Sequence, residues 1–218
     1  MITASDPRAA PYSYAGTSLS LAVTAPFLVV NSVLSLGVEQ QWGFAVYING
    51  PLPEGEEVRV AHRNPGVATL ADTVAARVTP SVAAVMATGT AAGVDSVIAS
   101  APGFQSDTGI IVVGTGTSEV VTWPPFGLTV GQSWPLYLHI LGPTGDPRMS
   151  TVTKTFTLTT NDNIEFLQDG VPITTVTVAA GQQSSLQFYV RGTAAGTGTV
   201  AISASNYSSV TKSVTVAP

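Results

Sequence analysis

Gly89-Thr90-Ala91-Ala92-Gly93 recurs as Gly192-Thr193-Ala194-Ala195-Gly196, 103 residues further along the chain. The flanks recur with it: VDSVIASAPGFQSDTGIIVV follows the first copy and TGTVAISASNYSSVTKSVTV the second. Working outward, Gly16-Thr17-Ser18 answers Gly116-Thr117-Ser118, and Val23-Thr24-Ala25-Pro26-Phe27 answers Val121-Thr122-Trp123-Pro124-Pro125-Phe126. QQWGFAVYINGP, ending at Pro51, answers GQSWPLYLHILGP, ending at Pro143, and sets Trp42 against Trp134. The blocks keep their order while their offset drifts between 92 and 103. Such drift is expected of a repeated unit whose insertions fall in loops. The chain therefore divides into an arm of residues 1–15, a first module of residues 16–115 and a second of residues 116–218, with the boundary near Gly114 to Gly116.

Each copy reads as strands. Trp42, Phe44, Val46 and Ile48 alternate with Gly43, Ala45 and Tyr47, and Trp134, Leu136, Leu138 and Ile140 with Pro135, Tyr137 and His139. A period of two sends one set into a core and the other toward solvent, so Trp42 and Trp134 are expected inside. Further strands are predicted at 58–61, 96–100 and 108–113 in the first copy. The second copy offers 151–158, 174–178, 185–191, 197–204 and 211–216. The Ala-rich run from Ala71 to Met86 could pass for a helix, but its counterpart in the second copy is β-rich, so it too is read as strands. Asn49-Gly50-Pro51, Asn64-Pro65-Gly66, Gly142-Pro143, Asp169-Gly170 and Ala180-Gly181 punctuate the runs as turns. Short strands at this spacing predict two tandem antiparallel β-sandwiches of immunoglobulin type.

The motifs resemble the bacterial Ig-like repeats of invasin/intimin-type adhesins, which also occur in surface-layer and phage structural proteins. The resemblance rests on Asn64-Pro65-Gly66-Val67-Ala68-Thr69-Leu70, on Gly89 to Gly93 followed by Ile98-Ala99-Ser100-Ala101-Pro102-Gly103-Phe104, and on Val190 to Thr197 followed by Ile202-Ser203-Ala204-Ser205-Asn206-Tyr207. It is close in the C-terminal half of each module and loose in the N-terminal half. It implies display outside the cell or on a virion, with spacing and adhesion as the work, and it supplies no catalytic residues. Read physically, the glycines bracketing Thr-Ala-Ala are expected to allow positive φ where the chain turns, and Asn206 to allow it where the first copy has Gly103.

Composition narrows the function further. Charged residues are 10% of the chain, well under the roughly 25% usual for soluble domains, and only Lys154 and Lys212 are lysines. A surface poor in charge suits a protein covered by copies of itself or by other surface or virion proteins. The net charge is −5 and the basic residues are scattered, which excludes a phosphate-tracking nucleic-acid groove. No stretch reaches the roughly 20 apolar residues of a membrane span. Without cysteine there is no disulfide and no thiolate metal site. The first residues lack the basic and apolar regions of a secretion signal, which leaves a trimmed fragment, a mature form carrying an added Met, or a protein that needs no signal.

Sites for chemistry are sparse. His62 and His139 stand outside any nucleophile elbow or His-Glu-x-x-His pattern, so no catalytic residue is assigned and the chain is read as no enzyme. Glu54, Glu56 and Glu57 form one acidic cluster, and Asp162, Glu165 and Asp169 another. Either could hold a structural calcium ion, yet no EF-hand spacing is present, and no cofactor is expected. Trp123, beside the boundary, is expected to pack between the modules. Tyr12 and Tyr14 mark the arm as a segment that lies on a neighbouring subunit, adding to an exposed sheet edge. The alternative is an accessory module of a larger secreted protein, binding carbohydrate or a receptor through exposed aromatic rings.

Overall fold

The structure, a computed structural model, describes residues 24–30, 33–52, 56–70, 73–74 and 82–218. The arm with Tyr12 and Tyr14 lies outside the described residues, as does Glu54. Among the described residues all regular structure is strand, and no helix is long and apolar enough to cross a membrane. The strands of the first half are β1 (Phe27–Val30), β2 (Val33–Gly37), β3 (Gln40–Asn49), β4 (Val58–His62), β5 (Ala68–Leu70), β6 (Thr73–Val74), β7 (Val82–Gly89), β8 (Gly93–Ser100) and β9 (Asp107–Gly114). Those of the second half are β10 (Thr117–Val121), β11 (Leu128–Thr129), β12 (Ser133–Leu141), β13 (Met149–Ser150), β14 (Lys154–Thr160), β15 (Ile164–Gln168), β16 (Val171–Ile173), β17 (Thr175–Val178), β18 (Phe188–Gly192), β19 (Gly196–Ser203) and β20 (Val210–Ala217).

Four sheets result. In the first half β1-β3-β7-β5 faces β2-β9-β8-β4-β6; in the second β10-β12-β18-β15-β16 faces β11-β20-β19-β14-β17. The two orders superpose: β1, β3, β7 and β5 answer β10, β12, β18 and β15, while β2, β9, β8, β4 and β6 answer β11, β20, β19, β14 and β17. The pairing of β2 with β9 is parallel, and so is that of β11 with β20, while the other strand pairs are antiparallel. The expected immunoglobulin-type sandwich is thus present twice.

Alternation produces each core. Leu136, Leu138 and Ile140 on β12 are fully buried, and on β3 Phe44, Val46 and Ile48 point inward. The buried apolar residues fall into two clusters, one drawn from residues 28–113 and one from 120–216. Removing such a side chain from water contributes about 1.5–3 kcal/mol. The first cluster is mainly aliphatic. The second adds two aromatic pairs, Phe166 and Phe188 with ring centroids 5.7 Å apart and Phe156 edge-on to Tyr207 at 5.1 Å.

Several expectations are corrected by the pairing. Trp42 pairs with Ala87 and Trp134 with Val190, each partner two residues before the matching glycine, so these tryptophans are equivalent as expected. At the other end of the same strands, Asn49 faces Phe27 and Leu141 faces Thr117. Phe27, not Thr17, therefore holds the place of Thr117. Three small polar residues carry no burial constraint, whereas the ladder to β3 fixes the register. The predicted strand at 151–158 begins instead at Lys154, because Met149–Ser150 leaves to pair with β3 of the other sandwich. In the stretch from Ala71 to Met86, β6 and the start of β7 are strands, and residues 75–81 lie outside the described residues.

The motif glycines split into two roles. Gly93 and Gly196 have positive φ, and Asn206 (φ 67°) repeats Gly103 (φ 78°). Gly89 and Gly192 do not; they serve close approach, since a Cβ on Gly89 would lie 2.4 Å from the Gly37 carbonyl oxygen and one on Gly192 2.8 Å from that of Thr129. Gly89→Ala is expected to lower stability by roughly 3 kcal/mol, because backbone cannot step aside. Gly66→Ala, whose Cβ would meet only the Asn64 side chain at 3.8 Å, should stay within about 0.5 kcal/mol. Urea denaturation of the two variants measures the difference.

Candidate functional site at the junction of the sandwiches

β9 ends at Gly114 and β10 begins at Thr117, so two residues join the sandwiches. Around this short tether the turn between β2 and β3 meets the loops at 141–154 and 204–208. Strand pairing crosses the boundary: β13 lies antiparallel to β3, with Met149 opposite Gln41 and Ser150 opposite Gln40. Beside it the Thr151 amide and hydroxyl both donate to the Glu39 carbonyl, at 2.8 and 2.9 Å.

Gln40 is the centre of the contact, with 0% exposure. Its Oε1 accepts from the Gly37 amide at 2.7 Å, and its Nε2 donates to the Leu141 carbonyl at 2.9 Å and the Tyr207 hydroxyl at 3.1 Å. A side chain with an acceptor on one arm and donors on the other is required here, which singles out the amide. Gly116 permits the approach: a Cβ there would lie 2.8 Å from Gln40 Nε2 and 2.9 Å from the Tyr207 ring. Burial raises the Tyr207 phenol above its ordinary value, with the bond to Gln40 pulling the other way.

Two charged groups close the rim. Arg148, 6% exposed, donates through Nε to the Ser35 carbonyl at 2.8 Å and lies over the Trp42 ring, 5.5 Å from its centroid. Burial lowers its pKa, and Asp146 opposes that shift. Lys154 bonds to the Glu39 carboxylate, which Asn206 Nδ2 also reaches at 3.3 Å. The Lys154 ammonium holds Glu39 below the ordinary carboxylate range despite a smaller opposing push from desolvation. One of only two lysines in the chain is thus committed to this contact.

The residues singled out from sequence lie elsewhere. Trp123 does not pack between the sandwiches. β10 runs away from the junction, from Thr117 opposite Leu141 to Val121 opposite Tyr137, and Trp123 follows at its far end. There it packs against the second core and donates Nε1–H to the Ser213 carbonyl at 2.8 Å. Trp134 packs against the same core and donates to the Thr122 carbonyl, and Trp42 lies against the first core. His62 Nδ1 lies 3.1 Å from Asp95 Oδ2. Asp95, 0% exposed, also accepts from the backbone amides of Arg63 and Asn64 at 3.2 and 2.8 Å, so the pair fixes the turn after β4. His139 stands on another sandwich, in register with Glu119. Glu56 and Glu57 are exposed beside Arg59. Glu165 is bonded to Arg191 at 2.7 Å, and Asp169 forms the β15–β16 turn at φ 52°. Among the described residues no three of His, Asp and Glu converge as a metal site would require.

Sequence reasoning missed Glu39, Gln40, Arg148, Lys154 and Tyr207. One signal for the junction was in view: a glutamine stands two residues before the tryptophan in both copies, Gln40 and Gln132.

No protein-family model matches the chain, and no curated protein matches it in sequence. Among solved structures it is similar to a β-glycosidase from Bacteroides vulgatus at 8% identity, covering 89% of this chain and 25% of that one, with a TM-score of 0.39. It is similar to domains 4–9 of the surface layer protein SbsC at 11% identity, covering 89% and 31%, with a TM-score of 0.37. For domains 4 and 5 of SbsC the identity is 15%, the coverage 74% and 77%, and the TM-score 0.36. The chain thus spans about a quarter of the glycosidase. None of these proteins' properties passes to it at such similarity.

Gln40→Glu puts an acceptor and a buried charge against the Leu141 carbonyl, and is expected to cost about 3 kcal/mol in urea denaturation at neutral pH. A carboxylate whose folded pKa is depressed stabilises above its unfolded value, and that stability is lost as pH falls through the folded one. The Glu39–Lys154 contact should therefore weaken below the ordinary carboxylate range. Hydrogen exchange at residues 37–40 should accelerate there in the native chain and show no such step in Glu39→Gln.

Proposed function

We propose that the chain is a non-catalytic, rigid pair of sandwiches serving as a building block or spacer in an extracellular, cell-surface or virion assembly. The observation that carries this reading is the complete burial of Gln40 between the two sandwiches, with a partner for both its acceptor and its donors. Modules that swing freely keep such groups in water. Here the amide, the Leu141 carbonyl and the Tyr207 phenol have left water and are satisfied by one another only while the sandwiches stay in contact, each such bond contributing about 0.5–1.5 kcal/mol net.

Two surface features support contact with neighbours. Low charge leaves little self-repulsion between copies. The outer face of the β1-β3-β7-β5 sheet presents Phe27, Val29, Tyr47 and Met86 partly exposed, and its outward positions among the described strand residues carry no charge. The same face of the second sandwich carries Glu119, Glu165 and Arg191. The three tryptophans are packed against the cores, which leaves the carbohydrate-platform alternative without a specific observation in its favour.

Residual dipolar couplings measured separately for residues 33–114 and 117–217 test the rigid pair. One alignment tensor is expected to fit both sets. Two tensors of unrelated orientation or amplitude would remove the spacer reading.

A further inference from the structure

The turn that the first sandwich offers to the second is built a second time, at the opposite end of the molecule. In the first sandwich the Val38 amide donates to the Gly114 carbonyl at 3.3 Å and the Glu39 amide to the Gly89 carbonyl at 2.8 Å. In the second, the Val130 amide donates to the Ala217 carbonyl at 3.0 Å and the Gly131 amide to the Gly192 carbonyl at 2.8 Å. Gln132 Oε1 accepts from the Thr129 amide at 3.0 Å, as Gln40 Oε1 does from Gly37. Glu39 and Gly131 share positive φ, 63° and 84°. What differs is cover. Gln40 has no exposed surface, whereas Gln132 is exposed and Val130 is 46% exposed. Every hydrogen bond of the Gln132 side chain among the described residues runs to Oε1, which leaves Nε2 presented as Gln40 presents its own to Leu141 and Tyr207.

Among the described residues, the end of the first sandwich away from the junction carries counterparts of part of the internal contact. Asn49 faces Phe27 as Leu141 faces Thr117, so its carbonyl stands where the Leu141 carbonyl stands, and Gly50-Pro51 repeats Gly142-Pro143. The Phe104 ring takes the place of Tyr207, each amide closing a turn onto Ala101 or Ala204. Strand register (Arg59 opposite Ser100, Thr157 opposite Ser203) sets Glu56 where the second sandwich has Lys154. The charges change together. Lys154 faces Glu39 in the internal junction, and the corresponding pair here is Glu56 and Gly131, so this position brings no two carboxylates together.

We propose that the Val130–Gln132 end of the second sandwich docks onto the end of the first sandwich away from the junction in a second copy, tail to head, as a partial repeat of the internal contact. This rests on the building-block reading and names its partner. Such a contact joins different patches of the two copies, so it propagates as an open chain or closes as a ring. It is weaker than the internal one. Phe104 has no hydroxyl for the amide, Pro26 stands where Gly116 lets Gln40 come close, and no two-residue tether raises the local concentration. The loop from Pro51 to Glu56 is also six residues shorter than that from Pro143 to Lys154, so the part played by β13, Arg148 and Thr151 is not repeated.

Sedimentation velocity of the full chain over a concentration series tests it. Elongated species that grow with concentration are expected. Val130→Asp and Gln132→Glu should each weaken association at least tenfold while leaving the melting temperature of this exposed turn's sandwich unchanged. Gly131→Glu should weaken it as well, by facing Glu56, and adding Glu56→Lys should restore it by recreating the internal pair. A chain that stays monomeric at every concentration, or that associates equally well with Val130→Asp and Gln132→Glu, overturns the proposal. Neither result alters the alignment tensor of the monomer, so the rigid-pair reading stands or falls separately.

Discussion

A primary amide sealed between two hydrophobic cores is unforgiving, since it must be satisfied on both arms or removed. Gln40 meets that condition by holding its own turn through Oε1 and the opposite sandwich through Nε2. The surrounding contacts follow from its position. The crossing strand β13 runs along its backbone, Gly116 stays bare so that it can approach, and Arg148 and Lys154 cap the exposed edges. Electrostatics here assist hydrogen bonding and do not replace it. In the Glu39–Lys154 pair the lysine is buried and the carboxylate reaches solvent, so the carboxylate's remaining bonds can go to water, while the buried amide sets the geometry.

The two sandwiches reach one topology through different interiors. The first is mainly aliphatic, and the second adds three phenylalanines and Tyr207, in two ring pairs, to its aliphatic side chains. Identical strand order with dissimilar cores is what volume-conserving packing permits, provided the alternation is kept. Positions that cannot vary are those where backbone meets backbone. Gly89 and Gly192 are the same residue in both copies because a carbonyl oxygen occupies the space a side chain would need.

Much of this was legible in the residues. Alternation around Trp42 and Trp134 identified the central strands, and the repeated Gly-Thr-Ala-Ala-Gly identified the sandwich, because burial and close backbone approach leave marks on sequence. The junction left fewer. Arg148 and Lys154 look like ordinary surface charges until the loop that carries them is folded against another sandwich. Trp123 misled for the opposite reason. Closeness along the chain to the boundary suggested closeness in space, but an extended strand of five residues carries it to the far end. The start of the first module was misregistered because Gly-Thr-Ser is a pattern any turn can show, whereas the ladder of β1 against β3 admits one answer.

The parallel pairing of β2 with β9 has a mechanical corollary. Val33 to Gly37 lie beside Ile110 to Gly114; chain reaches β2 after β1, which pairs with β3, and leaves toward the second sandwich through β9. Once β1 has parted from β3, tension along the molecule would drag β2 lengthwise past β9 and strain all their bonds at once, where peeling would break them singly. The second sandwich has only Leu128 and Thr129 in the corresponding pairing. Stretched from its ends, the molecule would yield in the second sandwich first.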